Sequence, residues 1–248
     1  MARSGIRRCC APQYARADAA RSAMKPSVLL AEATTPDGAQ LTLRLHDGHF
    51  QMRVGGHGLM CTTETRSEAE LAERGCAKLV DGGPARVLIG GLGFGFTLRR
   101  VLELVPAGVR VQVVELLPVV VAWNREYMRS VNGELVDDAR VQIVVDDVGA
   151  VLAAAPAASY DAVLLDVDNG PFALVDAGNA QLYSTAGLRV LARALRPGGR
   201  AAFWSATPDS AFMRRLATAG FHATACAAKA YAQAKRATRT LIIADRRK

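Results

Sequence analysis

Arg86-Val87-Leu88-Ile89-Gly90-Gly91-Leu92-Gly93-Phe94-Gly95 is the stretch whose reading decides the fold. Val87, Leu88 and Ile89 form a short apolar run rich in β-branched residues, the mark of a strand buried on both faces. Gly91, Gly93 and Gly95 then alternate, and a helical pattern starts at once with Leu98, Val101, Leu102 and Val105 on one face. Strand, glycine turn and helix in this order let a ligand lie on bare backbone, although a tight turn without a ligand uses the same residues.

Downstream, apolar runs alternate with helical patterns. Strands are predicted at 86–90, 110–115, 140–145, 160–166, 199–205, 221–227 and 238–244, and helices at 96–105, 118–130, 147–154, 179–195 and 208–219. Pro197-Gly198-Gly199 stops the fourth helix. This order predicts an α/β fold with a parallel sheet covered by helices on both faces. The last two strands have no helix between them, so the final one should run antiparallel.

Upstream, runs at 27–33, 40–46, 49–54 and 58–62 are separated by Pro36-Asp37-Gly38, Asp47-Gly48 and Gly55-Gly56, which predicts a small antiparallel N-terminal β-sheet. Residues 67–79 read as an amphipathic helix with Ser67 as N-cap, Glu70 completing a capping box, and Leu71, Cys76 and Leu79 facing inward. The expected organisation is a disordered basic extension over 1–26, with the functional chain starting near Met24, a small β-rich region plus helix over 27–80, and an α/β domain over 81–248.

The net charge is +8 over 248 residues, but residues 1–27 carry +5 and residues 229–248 carry +6, which leaves −3 for residues 28–228. A basic folded face of the kind nucleic acid requires is therefore not expected. The five cysteines, Cys9, Cys10, Cys61, Cys76 and Cys226, show no CxxC and no zinc spacing, so a reduced cytoplasmic compartment is expected, with no metal and no disulfide framework. Residues 1–23 lack the apolar core of a secretory signal, and no apolar run reaches the roughly 18–20 residues of a membrane span.

In an open α/β sheet, ligands bind beyond the carboxyl ends of the strands. The first four strands of the α/β part end at Gly91-Leu92-Gly93-Phe94-Gly95, at Glu115, at Asp146-Asp147, and at Asp166 followed by Val167-Asp168-Asn169. Glu115, about 20 residues past the glycines, can accept both hydrogen bonds of a ribose diol, and Asp147 can take an adenine amino group. Asp147 can equally be a helix cap. Phe96 stands where GxGxxG needs its last glycine, and an acidic pocket suits a sulfonium better than a pyrophosphate. S-adenosylmethionine, or its decarboxylated form, is the expected co-substrate, bound through Gly91, Gly93, Gly95, Glu115, Asp146 and Asp147.

Residues 87–221 resemble the spermidine/spermine synthase family of class I S-adenosylmethionine-type transferases, and its bacterial spermidine synthase-like branch more than authentic polyamine synthases. The resemblance rests on Val87-Leu88-Ile89-Gly90-Gly91, Gly95-Phe96-Thr97-Leu98-Arg99, Val113-Val114-Glu115, Val145-Asp146-Asp147, Tyr160-Asp161-Ala162-Val163-Leu164-Leu165-Asp166, Gln181-Leu182-Tyr183-Ser184 and Leu195-Arg196-Pro197-Gly198-Gly199. It implies a Rossmann-like methyltransferase sheet and assigns Asp166 as the residue that orients and deprotonates the attacking amine, with Asp168, Asn169 and Tyr183 binding substrate. Phe94 replaces the loop Asp that holds the aminopropyl end of the decarboxylated donor, Asn169 falls where a second Asp contacts the polyamine, and Arg66-Ser67-Glu68 lacks the usual Tyr and His or Gln. These departures favour methyl or other alkyl transfer from S-adenosylmethionine to a small amine-bearing acceptor. Aminopropyl transfer from the decarboxylated donor is the alternative, and a non-catalytic ligand-binding protein on the same fold is a third. No membrane or nucleic-acid partner is expected, and a homodimer is left open.

Overall fold

The computed structural model describes residues 27–79, 82–167 and 179–248. The extension over 1–26, and Asp168 and Asn169, lie outside the described residues. Four strands, β1 (Val28–Thr34), β2 (Gln40–His46), β3 (His49–Val54) and β4 (His57–Cys61), form an antiparallel sheet in sequential order. Helix α1 (Arg66–Gly75) leads out of it. It is shorter than the 67–79 helix read from the sequence, and the predicted capping box does not form. Thr65 is the N-cap, Ser67 lies inside the first turn, and Glu70 pairs with Arg66 one turn away at 3.2 Å.

The second sheet has seven strands: β5 (Arg86–Gly90), β6 (Arg110–Glu115), β7 (Val141–Val145), β8 (Tyr160–Leu165), β9 (Leu195–Ser205), β10 (Phe221–Ala228) and β11 (Arg239–Arg246), in spatial order β10-β11-β9-β8-β5-β6-β7. Every pairing is parallel except those of β11, which runs antiparallel to β9 and to β10. The intervening helices are α2 (Phe96–Leu104), α3 (Pro118–Glu126), α4 (Arg129–Asn132), α5 (Val148–Ala154), α6 (Asn179–Leu182), α7 (Thr185–Ala194) and α8 (Ser210–Thr218).

Two helices expected to be continuous are broken, each for a local reason. The 179–195 run divides at Ser184, whose Oγ accepts from Gly187 N at 3.1 Å and starts α7 afresh. The 118–130 run divides after Glu126 into α3 and the single turn of α4. Beyond α7 the chain turns directly into β9 at Leu195, four residues earlier than expected, because an isolated Tyr160–Leu195 pairing precedes the bulge at Pro197-Gly198-Gly199. No described helix is long and apolar enough to cross a membrane.

The two sheets share a core. Leu41, Leu43, Met52 and Val54 of the small sheet and Leu71 and Ala72 of α1 pack in one cluster with Val87, Ile89, Val111, Val113 and Leu164 of the large one. A Cβ on Gly75 would stand 2.9 Å from Leu164 Cγ, so the end of α1 rides directly on β8. This contact aims the N-terminal turn of α1 at the carboxyl end of the same strand.

Candidate active site

The crossovers from β5 lead to β6 and β7 on one side, and the chain then returns to place β8 on the other. Their divergence opens a crevice between the tips of β5 and β8, where open α/β sheets bind ligands. Gly91 N donates to Val114 O at 2.8 Å and Asp166 N donates to Gly90 O at 2.9 Å, so the ladder continues past the strands and the tips stay in register. A cavity of about 130 Å³ lies over them.

Two of the three loop glycines line it. Gly91 has φ +88°, and a Cβ there would meet Asp166 O at 2.4 Å. Gly93 has φ +50°, and a Cβ would meet Met60 Cε of β4 at 2.7 Å. Gly95, expected in the binding loop, instead turns away. It is the N-cap of α2, with φ +82°, and a Cβ there would meet Leu135, Asn124 and Asn132 behind the loop. Its glycine is required by backbone geometry and packing. Phe94 is 2% exposed and lies in the core, so the residue that replaces the family's loop Asp presents neither charge nor ring to the cavity.

Glu115 is buried at the tip of β6, where Oε2 accepts from Leu92 N at 2.8 Å and Oε1 from Leu117 N at 2.9 Å. One carboxylate thus ties the glycine loop to the loop after β6. The carboxylate lines the cavity, as an acceptor for a ribose diol must. Glu115→Gln puts an NH2 against one of the two amides. Donor affinity should fall by about 1–3 kcal/mol, read by calorimetry with a nucleoside ligand. Asp146 and Asp147 at the tip of β7 also line the cavity. Asp146 Oδ1 accepts from Asp147 N, and Asp147 Oδ1 caps α5 by accepting from Ala150 N, each at 2.7 Å. The capping and lining roles of Asp147 coexist.

Asp166, at the tip of β8, accepts from Thr97 Oγ1 at 2.6 Å. Burial pushes its carboxyl up to about 6, against the pull of the Thr97 hydroxyl. Glu68, from the first turn of α1, lines the same cavity and accepts from Ser67 Oγ at 2.6 Å. Burial first, then the nearby Asp166 charge, push it up to about 7, while Ser67 and Arg239 act the other way. The two carboxyls titrate as a linked pair.

Neither Thr97 nor Glu68 was singled out from the sequence as a site residue. Thr97 carried a signal, since it stands in the first turn of the helix that follows the glycine turn. Glu68 carried one through the resemblance, as the last residue of Arg66-Ser67-Glu68, but its place at the cavity depends on how α1 lies on β8. Trp204 on β9 lines the cavity, with the Arg239 guanidinium 5.6 Å from its ring centroid. Tyr183, expected to bind substrate, lies elsewhere: it is 2% exposed and packs edge-on against Phe212 at 5.5 Å, with Phe203 at 6.3 Å. Its position after α6 turns the ring into the core, and it does not line the cavity.

A mostly parallel seven-stranded sheet with an antiparallel β11, a glycine turn at the switch point and acidic neighbouring tips defines the Rossmann-like methyltransferase class of folds. Residues 74–210 match the spermine/spermidine synthase domain, and the chain belongs to that family. It is 35% identical over 159 residues to the polyamine aminopropyltransferase of Mycobacterium tuberculosis, covering 62% of this chain and 29% of that protein. Its likeness to the polyamine aminopropyltransferase of Aeropyrum pernix is 30% over 189 residues, 68% of this chain and 58% of that one. Putrescine N-methyltransferase 1 of Nicotiana tabacum is 35% identical over 118 residues, 47% of this chain and 29% of that one. The chain thus spans less than two thirds of the length of these relatives. The crystal structure of spermidine synthase from Thermotoga maritima superposes with a TM-score of 0.69 at 19% identity, over 88% of this chain and 72% of that one.

Proposed function

We propose that this chain is an aminopropyltransferase that joins a small amine to the aminopropyl group of decarboxylated S-adenosylmethionine, with Asp166 as the base. The observation that carries the reading is the Thr97-held Asp166 at the switch point, in a cavity with no lysine or arginine among its described lining residues. Such a lining favours a cationic ligand. The two polyamine aminopropyltransferase relatives support the choice of group, because they match over more of the chain than the N-methyltransferase does.

The donor supplies an electrophilic carbon on a sulfonium. A bond forms between the amine nitrogen and that carbon as the carbon–sulfur bond breaks. The electron pair passes to sulfur, and the nitrogen gives its proton to Asp166. Thr97 holds one oxygen of Asp166, so the other is directed at the amine. Glu115, with both oxygens already placed by backbone amides, holds the ribose, and Asp146 and Asp147 lie on the adenine side. The protein's contribution is position and a proton acceptor. Against the preference for methyl transfer that the loop substitution suggests stands Glu68, which brings another carboxylate to the cavity.

Methyl transfer from intact S-adenosylmethionine is the second reading, favoured by the Nicotiana match. Incubation with a labelled diamine and each donor in turn separates the two by mass spectrometry. The expected product carries an added aminopropyl group and forms only with the decarboxylated donor. A methylated amine formed with intact S-adenosylmethionine overturns the first reading, and binding without any product overturns both.

A further inference from the structure

Five carboxylates line the cavity, and they are held in different ways. Glu115 is held by two backbone amides, and Asp146 and Asp147 each accept one. Asp166 accepts the Thr97 hydroxyl, and Glu68 accepts the Ser67 hydroxyl and its own backbone amide. They come from different elements, the tip of β8 and the first turn of α1, and they interact electrostatically. Arg239, the cation whose charge reaches Glu68, also pairs with Glu64 at 3.0 Å. The amino-acid end of a sulfonium donor must come close to Asp166, because the carbon beside its sulfur is attacked there. A donor that keeps its carboxylate brings a third negative charge to the pair. A donor that has lost it brings only an ammonium.

We infer that Glu68 is the residue that selects the donor, holding the ammonium of the decarboxylated form and rejecting the carboxylate of the intact one. The inference rests on the proposed reaction and deepens it. Glu68 lies seven residues before Gly75, two turns along α1, and Gly75 rides on Leu164 of β8, so the helix delivers this carboxylate to the Asp166 end of the crevice. Selection by charge also explains how the loop can carry Phe94 without a carboxylate of its own.

The test is calorimetry on the full chain with decarboxylated S-adenosylmethionine, intact S-adenosylmethionine and methylthioadenosine. The last shares the nucleoside and lacks the charged tail. The wild type is expected to prefer the decarboxylated donor, and Glu68→Gln to narrow that preference by about tenfold or more, the effect of losing one close charge contact. Affinity for methylthioadenosine should stay unchanged.

An unchanged donor preference in Glu68→Gln, or an equal loss for methylthioadenosine, overturns the inference while leaving the reaction standing. Failure of the wild type to bind any of the three removes the proposed reaction and the inference with it. A second measurement needs no variant: donor preference of the wild type should widen as pH rises from about 6 to about 8. Over this range Glu68 ionises beside Asp166 of β8 and Arg239 of β11. A preference that stays flat across that range also overturns it.

Discussion

Asp166→Asn lowers kcat by about 10²–10⁴-fold, the usual worth of a positioned general base. The amide keeps the shape of the side chain and its contact with Thr97 Oγ1, so the nucleoside should bind with little change. What it loses is the capacity to take the proton that the amine sheds as it attacks. KM for the donor should therefore move far less than kcat, and steady-state kinetics with both substrates varied reads the split. In the wild type, kcat/KM should fall as pH drops through about 6, because the base must be ionised and burial has raised its pKa from the usual carboxylate range. Glu68 titrates with it, so the profile reports the pair. In Asp166→Asn that acid limb should disappear from the residual activity. A variant that retains wild-type turnover shows that the base lies elsewhere.

Gly91→Ala should disable the site by geometry alone. The new Cβ would lie 2.4 Å from the carbonyl oxygen of Asp166, which is backbone and cannot swing away, and φ at this position is +88°. The left-handed backbone costs about 1–2 kcal/mol for any residue with a Cβ, and the overlap adds about 1–3 kcal/mol through forced displacement. Urea unfolding should register a loss of about 2–5 kcal/mol, the sum of those two costs. Whatever fold survives does so with the β5 and β8 tips pushed apart, and a shift near 1 Å between reacting groups costs on the order of 10²-fold in rate. Gly48→Ala is the matched control. Its φ is +77° but no atom lies within 4 Å of the added Cβ, so it should show the backbone cost alone, with activity intact. Equal effects from the two variants would mean that the close approach at Gly91 does not matter.

Much of this architecture was legible along the chain. Val87-Leu88-Ile89 followed by alternating glycines marked a doubly buried strand and a tight turn, and the regular alternation downstream required a parallel sheet. The absence of a helix between β10 and β11 required the antiparallel last strand. Glu115, Asp146, Asp147 and Asp166 could be placed at strand tips because a strand's end is a local property of the chain. The helix breaks were less legible, since Ser184 and the α3–α4 junction interrupt patterns whose apolar spacing continues across them. The capping box at Ser67 was a local motif that lost to an alternative: its hydroxyl bonds the neighbouring Glu68 carboxylate.

The amino-acid order by itself determined the parallel sheet, the glycine turn and the acidic strand tips, because apolar periodicity, the missing Cβ and the position of a side chain after a strand all act over a few residues. Only the tertiary structure decided which way each of those residues faces. It turned Gly95, Phe94 and Tyr183 away from the cavity, and it brought Thr97 and Glu68 in. The reason is physical. Orientation at the crevice is set by close packing between elements far apart in the chain, above all α1 seated on β8 through Gly75 and Leu164, and that contact has no local signature in the sequence.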